Sequence, residues 1–227
     1  MALPLYLALT AAEMAGNSIP PQSAYMACHF SPCGKGLSNL PPSLPPGAML
    51  ILDDSTPMAG HDPELILKQL SIQVERLHCE SILLDFQRPD VNAQRELAKL
   101  TAGALPCPVG VSELYAGGLP CPVFLPPVPP DKPPVEHLKP WQGREIWLEA
   151  ALEGITLTLT EGGCSTTLLS NFPEDGQQDR KLHCHYTVEA PATFHIWRNR
   201  DDLDALLAEA KNAGVTRAIG LWQELGR

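Results

Sequence analysis

Short, nearly unbroken apolar runs recur along the chain, each followed by loop-forming residues. They cover residues 4–9, 24–30, 48–53, 81–86, 109–112, 123–125, 145–150, 193–197 and 218–222. Runs of this kind predict parallel strands buried on both faces. Between some of them the apolar spacing turns helical. Asp62, Pro63 and Glu64 open one helix, with Asp at the cap and Pro at the first position. Leu65, Ile66, Leu70, Val74 and Leu77 then mark its apolar face. A second helix starts at Asn92, holds Leu97 and Leu100 inside and ends at Gly103. A third runs over 201–212, with Leu203, Leu206, Leu207 and Ala210 on one face and Gly214 supplying a left-handed cap.

Strands that alternate with helices imply a parallel sheet with helices outside. Eight or so strands in 227 residues point to a closed barrel. The expected fold class is α/β: a lean (β/α)8 TIM-like barrel, residues 1–227 forming one domain. The pentapeptide LPCPV occurs at 105–109 and again at 119–123. That spacing holds a short strand and a turn but hardly a full helix, with proline just ahead of each strand. Residues 155–190 break the pattern. ITLTLT and LHCHYTVEA alternate with period two around a Gly162-Gly163 turn. They are expected to form an antiparallel β hairpin inserted between two late barrel units, too small for a core of its own.

Composition sharpens this picture. The chain has 24 prolines, roughly double the usual share of about 5%. They cluster between the expected strands, at 20–21, 41–46, 106–108, 120–122 and 126–134. Proline-rich loops are therefore expected to replace several barrel helices. A net charge of −10 with no Lys/Arg cluster argues against nucleic acid and anionic membranes as partners. A neutral carbohydrate or a protein fits better, and the β excursion offers an edge for a homodimer. Seven cysteines without CxxC spacing suggest reduced thiols. The N-terminal stretch lacks a basic segment and is broken by Pro4, so a cytoplasmic protein is expected, unless a leader has been removed.

In a βα barrel, reactive groups sit at the C-terminal ends of the strands. The fourth run is the most informative. Leu83, Asp85 and Gln87 alternate and so share one face, and Arg88-Pro89 turns the chain away. Asp85 is the candidate catalytic carboxylate. Gln87, Arg88, Asp53, Asp54, Glu113 and Glu149 are candidate ligand contacts at strand ends. The alternative for Asp85 is a structural carboxylate that hydrogen-bonds a neighbouring loop. Tyr6 and Trp222 are candidate sugar platforms, along with Tyr25, Phe86, Trp147 and Trp197, any of which could instead pack the core.

ESILLDFQ, residues 80–87, resembles the strand-four signature DGxDxDxE of the family 18 glycoside hydrolases, the chitinases. Asp85 falls at its last Asp, Leu83 at its middle Asp and Gln87 at its catalytic Glu. IGLWQELG, residues 219–226, is similar to that family's last-strand segment, whose Trp floors a sugar subsite at the position of Trp222. The resemblance implies a barrel whose chemistry is assisted by the sugar's own 2-acetamido group. It also implies a defect. An amide has no acid proton to give, so Gln87 cannot protonate a leaving oxygen. The family's strand-three SxGG and strand-six tyrosine-aspartate motifs are missing too. The expectation is a chitinase-like barrel that binds a glycan without standard hydrolysis. The alternatives are a hydrolase using Asp85 with Asp53 or Asp54, and a non-catalytic interaction module. No cofactor is expected. The His183/His185 pair and the Cys28, His29, Cys33 group lack zinc-site spacing, so no metal is expected either.

Overall fold

The computed structural model describes residues 2–16, 19–58, 60–89 and 91–226. Eight parallel strands close into a barrel: β1 (Leu5–Leu9), β2 (Ser23–Phe30), β4 (Met49–Asp53), β5 (Ser81–Asp85), β6 (Val109–Ser112), β7 (Val123–Leu125), β8 (Ile146–Ala150) and β14 (Val215–Leu221). The pairing of β1 with both β14 and β2 completes the circle. A two-residue strand, β3 (Leu37–Ser38), runs antiparallel on the flank of β2.

Among the described residues three helices have full length: α2 (Pro63–Leu77), α3 (Asn92–Ala104) and α6 (Arg200–Asn212). Asp62 caps α2 by accepting from the Glu64 N–H, and Ile66, Leu70, Val74 and Leu77 bury its inner face, while Leu65 stays exposed. A capping box of Asn199 and Asp202 starts α6. The other connections carry α1 (Ala11–Gly16), α4 (Glu113–Ala116) and α5 (Pro134–Leu138), each of six residues or fewer, or coil. The prolines at 41–46 and 126–134 lie in two of these helix-poor links. Pro108 and Pro122 stand immediately ahead of β6 and β7. Each lends its carbonyl to the neighbouring strand, accepting from the Ile82 and Val111 N–H groups, so the missing proline donor costs no ladder bond.

Inside the barrel, Tyr6, Ala8, Ala24, Met49, Ile51, Leu83, Phe124, Trp147 and Ile219 form a packed core. Trp147 is fully buried and occupies the space a side chain at residue 110 would need. A Cβ on Gly110 would lie 2.3 Å from the indole. At the N-terminal end of the strands, Arg217 stacks between the rings of Trp147 (4.8 Å) and Tyr6 (5.4 Å). It donates to Ser81 Oγ at 2.8 Å and pairs with Glu80 at 3.3 Å, while the Tyr6 hydroxyl donates to Glu80 at 2.9 Å. This cluster plugs the bottom of the barrel.

Between β8 and α6 the chain leaves the barrel to build a second, antiparallel sheet. Its strands are β9 (Gly154–Thr160), β10 (Gly163–Leu168), β11 (Gln177–Asp179), β12 (Cys184–Glu189) and β13 (Thr193–Trp197), in the order β10-β9-β13-β12-β11. The insertion thus reaches further than expected. Thr193–Trp197 reads in sequence as a parallel barrel strand, but it pairs antiparallel with both β9 and β12. Its residues are mostly half-buried, as suits a sheet with one wet face, and β14 takes the eighth barrel place. Arg198 anchors the insertion. It is 1% exposed, and its guanidinium donates to the carbonyls of Val128, Pro129, Leu182 and His183.

Candidate active site

The register of the parallel strands brings carboxylates from distant segments to one rim. Asp53 on β4 pairs with Asp85 on β5, and both follow inward-facing residues, Ile51 and Leu83. Glu149 on β8 stands two residues beyond the inward Trp147 and so faces the same way. Together they line a cavity of about 90 Å³ at the C-terminal mouth, whose floor is Ala8, Met26, Ile51, Leu83, Phe124 and Ile219. A second, more open depression of about 320 Å³ adjoins it. It shares Asp53 and Asp85 and adds Asp54, Ser55, Gln87 and Arg88.

The electrostatics follow from this crowding. Burial pushes the Asp85 carboxyl above the usual range; the Gln87 amide, which donates to it at 2.5 Å, pulls it back, and Asp53 and Asp54 push it up again. Burial raises Glu149 to about 7, helped by Asp85, Glu153 and Glu224. Glu153 is also raised, by burial and by Glu224, although Arg198 opposes this. Among the described residues Glu149 has no hydrogen-bond or ion-pair partner. Glu153 carried no distinct signal in the sequence, because it sits between β8 and β9 in a short connection, and Glu224, placed by the sequence just past the last strand, lies in the short helix that follows it.

The other sequence candidates are placed as follows. Asp54 borders the open depression, but its carboxylate accepts from the backbone N–H groups of Gln87 and Arg88 and from Gln94, so it braces the loop after β5. The Arg88 guanidinium is committed to the carbonyls of Asp54 and Ser55. Glu113 starts α4 as an exposed residue and lines neither cavity. Trp222 starts α7 (Trp222–Leu225), and its ring packs on Gly226, so Leu221 takes the cavity wall instead. Tyr6 faces inward as expected but at the opposite end of the barrel, some residues below the mouth, where it holds Glu80. Tyr25 and Phe86 belong to the core cluster outside the barrel interior, Tyr25 bonded to Asn39 and Phe86 packed on Phe30 and Tyr115. Trp147 is barrel core, and Trp197 is buried against His185 in the insertion. His183 and His185 bond to Glu209 and Asp202. No group of three or more His, Cys, Asp or Glu among the described residues is arranged to hold a metal.

By sequence, no family model matches the chain and no curated protein is significantly similar. Solved structures are similar over nearly its whole length. A Glu-to-Gln mutant of the class V chitinase from Nicotiana tobaccum, in complex with NAG4, superposes with a TM-score of 0.62 at 9% identity, covering 97% of this chain and 93% of that one. The fold is chitinase-like. The chitinase-like agglutinin of Robinia pseudoacacia gives a TM-score of 0.59 at 12% identity, covering 95% of this chain and 93% of that one. The spore cortex-lytic enzyme SleL of Bacillus cereus gives 0.58 at 11% identity, covering 96% of this chain and 70% of that one. On this chitinase-like barrel, the strand that carries Asp85 and leads into Gln87 is the fourth in chain order.

Proposed function

We propose that the chitinase-like barrel binds a glycan at its C-terminal mouth and does not hydrolyse it by the acetamido-assisted route. The observation that carries this reading is the Gln87–Asp85 hydrogen bond. The amide occupies the position where the resembling motif has its acid, and it ties up the retained carboxylate instead of delivering a proton. Two of the similar structures that hold chito-oligosaccharides are themselves Glu-to-Gln mutants, so a glutamine is compatible with bound oligomer in that fold. An agglutinin among the neighbours shows that the architecture also serves proteins named for binding.

Calorimetric titration with chito-oligosaccharides, paired with a product assay on the same samples, tests the reading. Binding heat without product is the expected result. No heat at millimolar ligand overturns it, and so does turnover that survives in Gln87→Ala.

One observation favours a second, hydrolytic reading. Glu149, raised to about 7, has the proton affinity that a general acid needs near neutral pH. A broad glycoside screen that finds activity, with its loss in Glu149→Gln, would establish it.

A further inference from the structure

The two edges of the inserted sheet are unequal. One edge is β11, three residues long and closed by Asp179, whose carboxylate accepts from the Lys181 and Leu182 N–H groups. Short, charged edge strands of this kind resist pairing with another chain. The other edge is β10, six residues, GCSTTL, every one of them exposed. It pairs with β9 in unbroken register. It carries no charge, no proline and no bulge, so the usual protections of an edge strand are missing from it.

Two bonds fix the hydrogen-bonding phase of β10. The Leu169 N–H donates to the Gly154 carbonyl, while the Leu159 N–H turns away from β10 to the Ala192 carbonyl. Leu159 stands opposite Cys164. By alternation along an antiparallel ladder, Gly163, Ser165 and Thr167 bond to β9, and Cys164, Thr166 and Leu168 present their N–H and C=O groups to the open edge. Among the described residues no backbone group meets them there.

This edge matches a second copy of itself. An antiparallel copy centred on Thr166 sets Thr166 against Thr166 and Cys164 against Leu168, and each outward group then has a partner. The Cys164, Thr166 and Leu168 side chains share the face of the sheet that holds Leu157 and Leu159, and that face continues through Phe194 to Val188. Its positions on β9, β10, β12 and β13 hold no charged residue. Pairing would continue the apolar face across both copies and cover part of Leu168, which is 83% exposed. Charge decides where two copies can meet. Chains of net charge −10 repel one another, so their contact needs a seam free of carboxylates. The charge nearest to β10 along the chain is Glu161, in the hairpin turn. In the antiparallel pair the two Glu161 residues fall at opposite ends, roughly 30 Å apart. That is well beyond the screening length of about 8 Å at physiological salt.

We propose that the protein forms a homodimer through β10, two copies pairing edge to edge about Thr166 so that their five-stranded sheets become one. The interface is small, at or below about 1,200 Å², so the dimer is weak and concentration-dependent. It does not depend on glycan binding at the mouth.

The test is sedimentation of the whole protein over a range of concentrations, in a thiol reductant so that Cys164 cannot link copies covalently. A monomer–dimer equilibrium is expected. Thr166→Pro should weaken it roughly tenfold or more, because the N–H it removes faces the open edge and not β9. Thr166→Lys and Thr166→Glu should each be monomeric, since like charges then meet across the two-fold axis, and an equal mixture of the two should dimerise again. A wild-type protein that stays monomeric at millimolar concentration would overturn the proposal and leave the edge to an extended segment of some other protein. A dimer indifferent to Thr166→Pro would place the interface elsewhere and overturn it too, as would a mixture of the Lys and Glu variants that stays monomeric.

Discussion

Gln87 donates its side-chain amide to Asp85 across two positions of one strand end, at 2.5 Å. The bond holds down a carboxyl that burial and two neighbouring aspartates otherwise push up. Gln87→Ala removes the donor, so the Asp85 proton affinity should rise further. Carbon-detected NMR titration of the Asp85 carboxyl checks this. A midpoint that stays put or falls would show that the amide does not stabilise the ionised form.

Glu149 links the site to stability. Its folded pKa, about 7, lies above the ordinary value of 4.5. The folded state therefore holds the proton more tightly, and the contribution is fully present below pH 4.5 and lost as pH rises through 7. The implied cost at pH 8 is about 3 kcal/mol, an upper figure given some solvent access. Glu149→Gln should raise the melting temperature at pH 8 and change it little near pH 4. Thermal melts across that range decide the matter, and a pH-independent effect would contradict the linkage.

Trp147 fills the barrel interior because residue 110 has no side chain. Gly110→Ala places a methyl group into the indole, and a buried ring packed among the inward-facing side chains of the barrel cannot easily yield. The expected loss is about 1–3 kcal/mol, the usual range for overpacking a core. Chemical denaturation would measure it, and a neutral result would mean that the tryptophan has room to turn.

Tyr6 and Arg217 close the opposite end of the barrel. Arg217→Met should cost about 1–3 kcal/mol through the lost ring stacking, the Ser81 hydroxyl left without its donor and the lost ion pair to Glu80. Tyr6→Phe should leave glycan affinity unchanged, since the ring stays and the hydroxyl lies far from the mouth. A drop in affinity for Tyr6→Phe would place ligand where the structure puts a plug.

Much of this was open to sequence reading because it is local. Strand period and helix period differ, so the eight barrel strands and the three long helices stand out residue by residue. The Asp62 cap and the prolines ahead of Val109 and Val123 act within a few residues of themselves. The alternation of Leu83, Asp85 and Gln87 tells that they share a face.

Alternation does not tell which end of a strand a residue occupies relative to the finished barrel, so Tyr6 shares the interior but not the mouth. Nor does an apolar run reveal its partner: Thr193–Trp197 reads as a barrel strand like β14, but it meets antiparallel neighbours and stays half-buried. Asp53 and Asp54 are adjacent and chemically alike. Only the fold turns one to the cavity and the other to the N–H groups of the next loop. The meeting of Asp53, Asp85 and Glu149 belongs to tertiary structure alone. Their strands lie far apart in the chain, and barrel closure, driven by burial of the apolar faces, sets the ends of those strands around one opening. Sequence determined the strands and the chemistry available at their ends; closure decided which of those ends face one another.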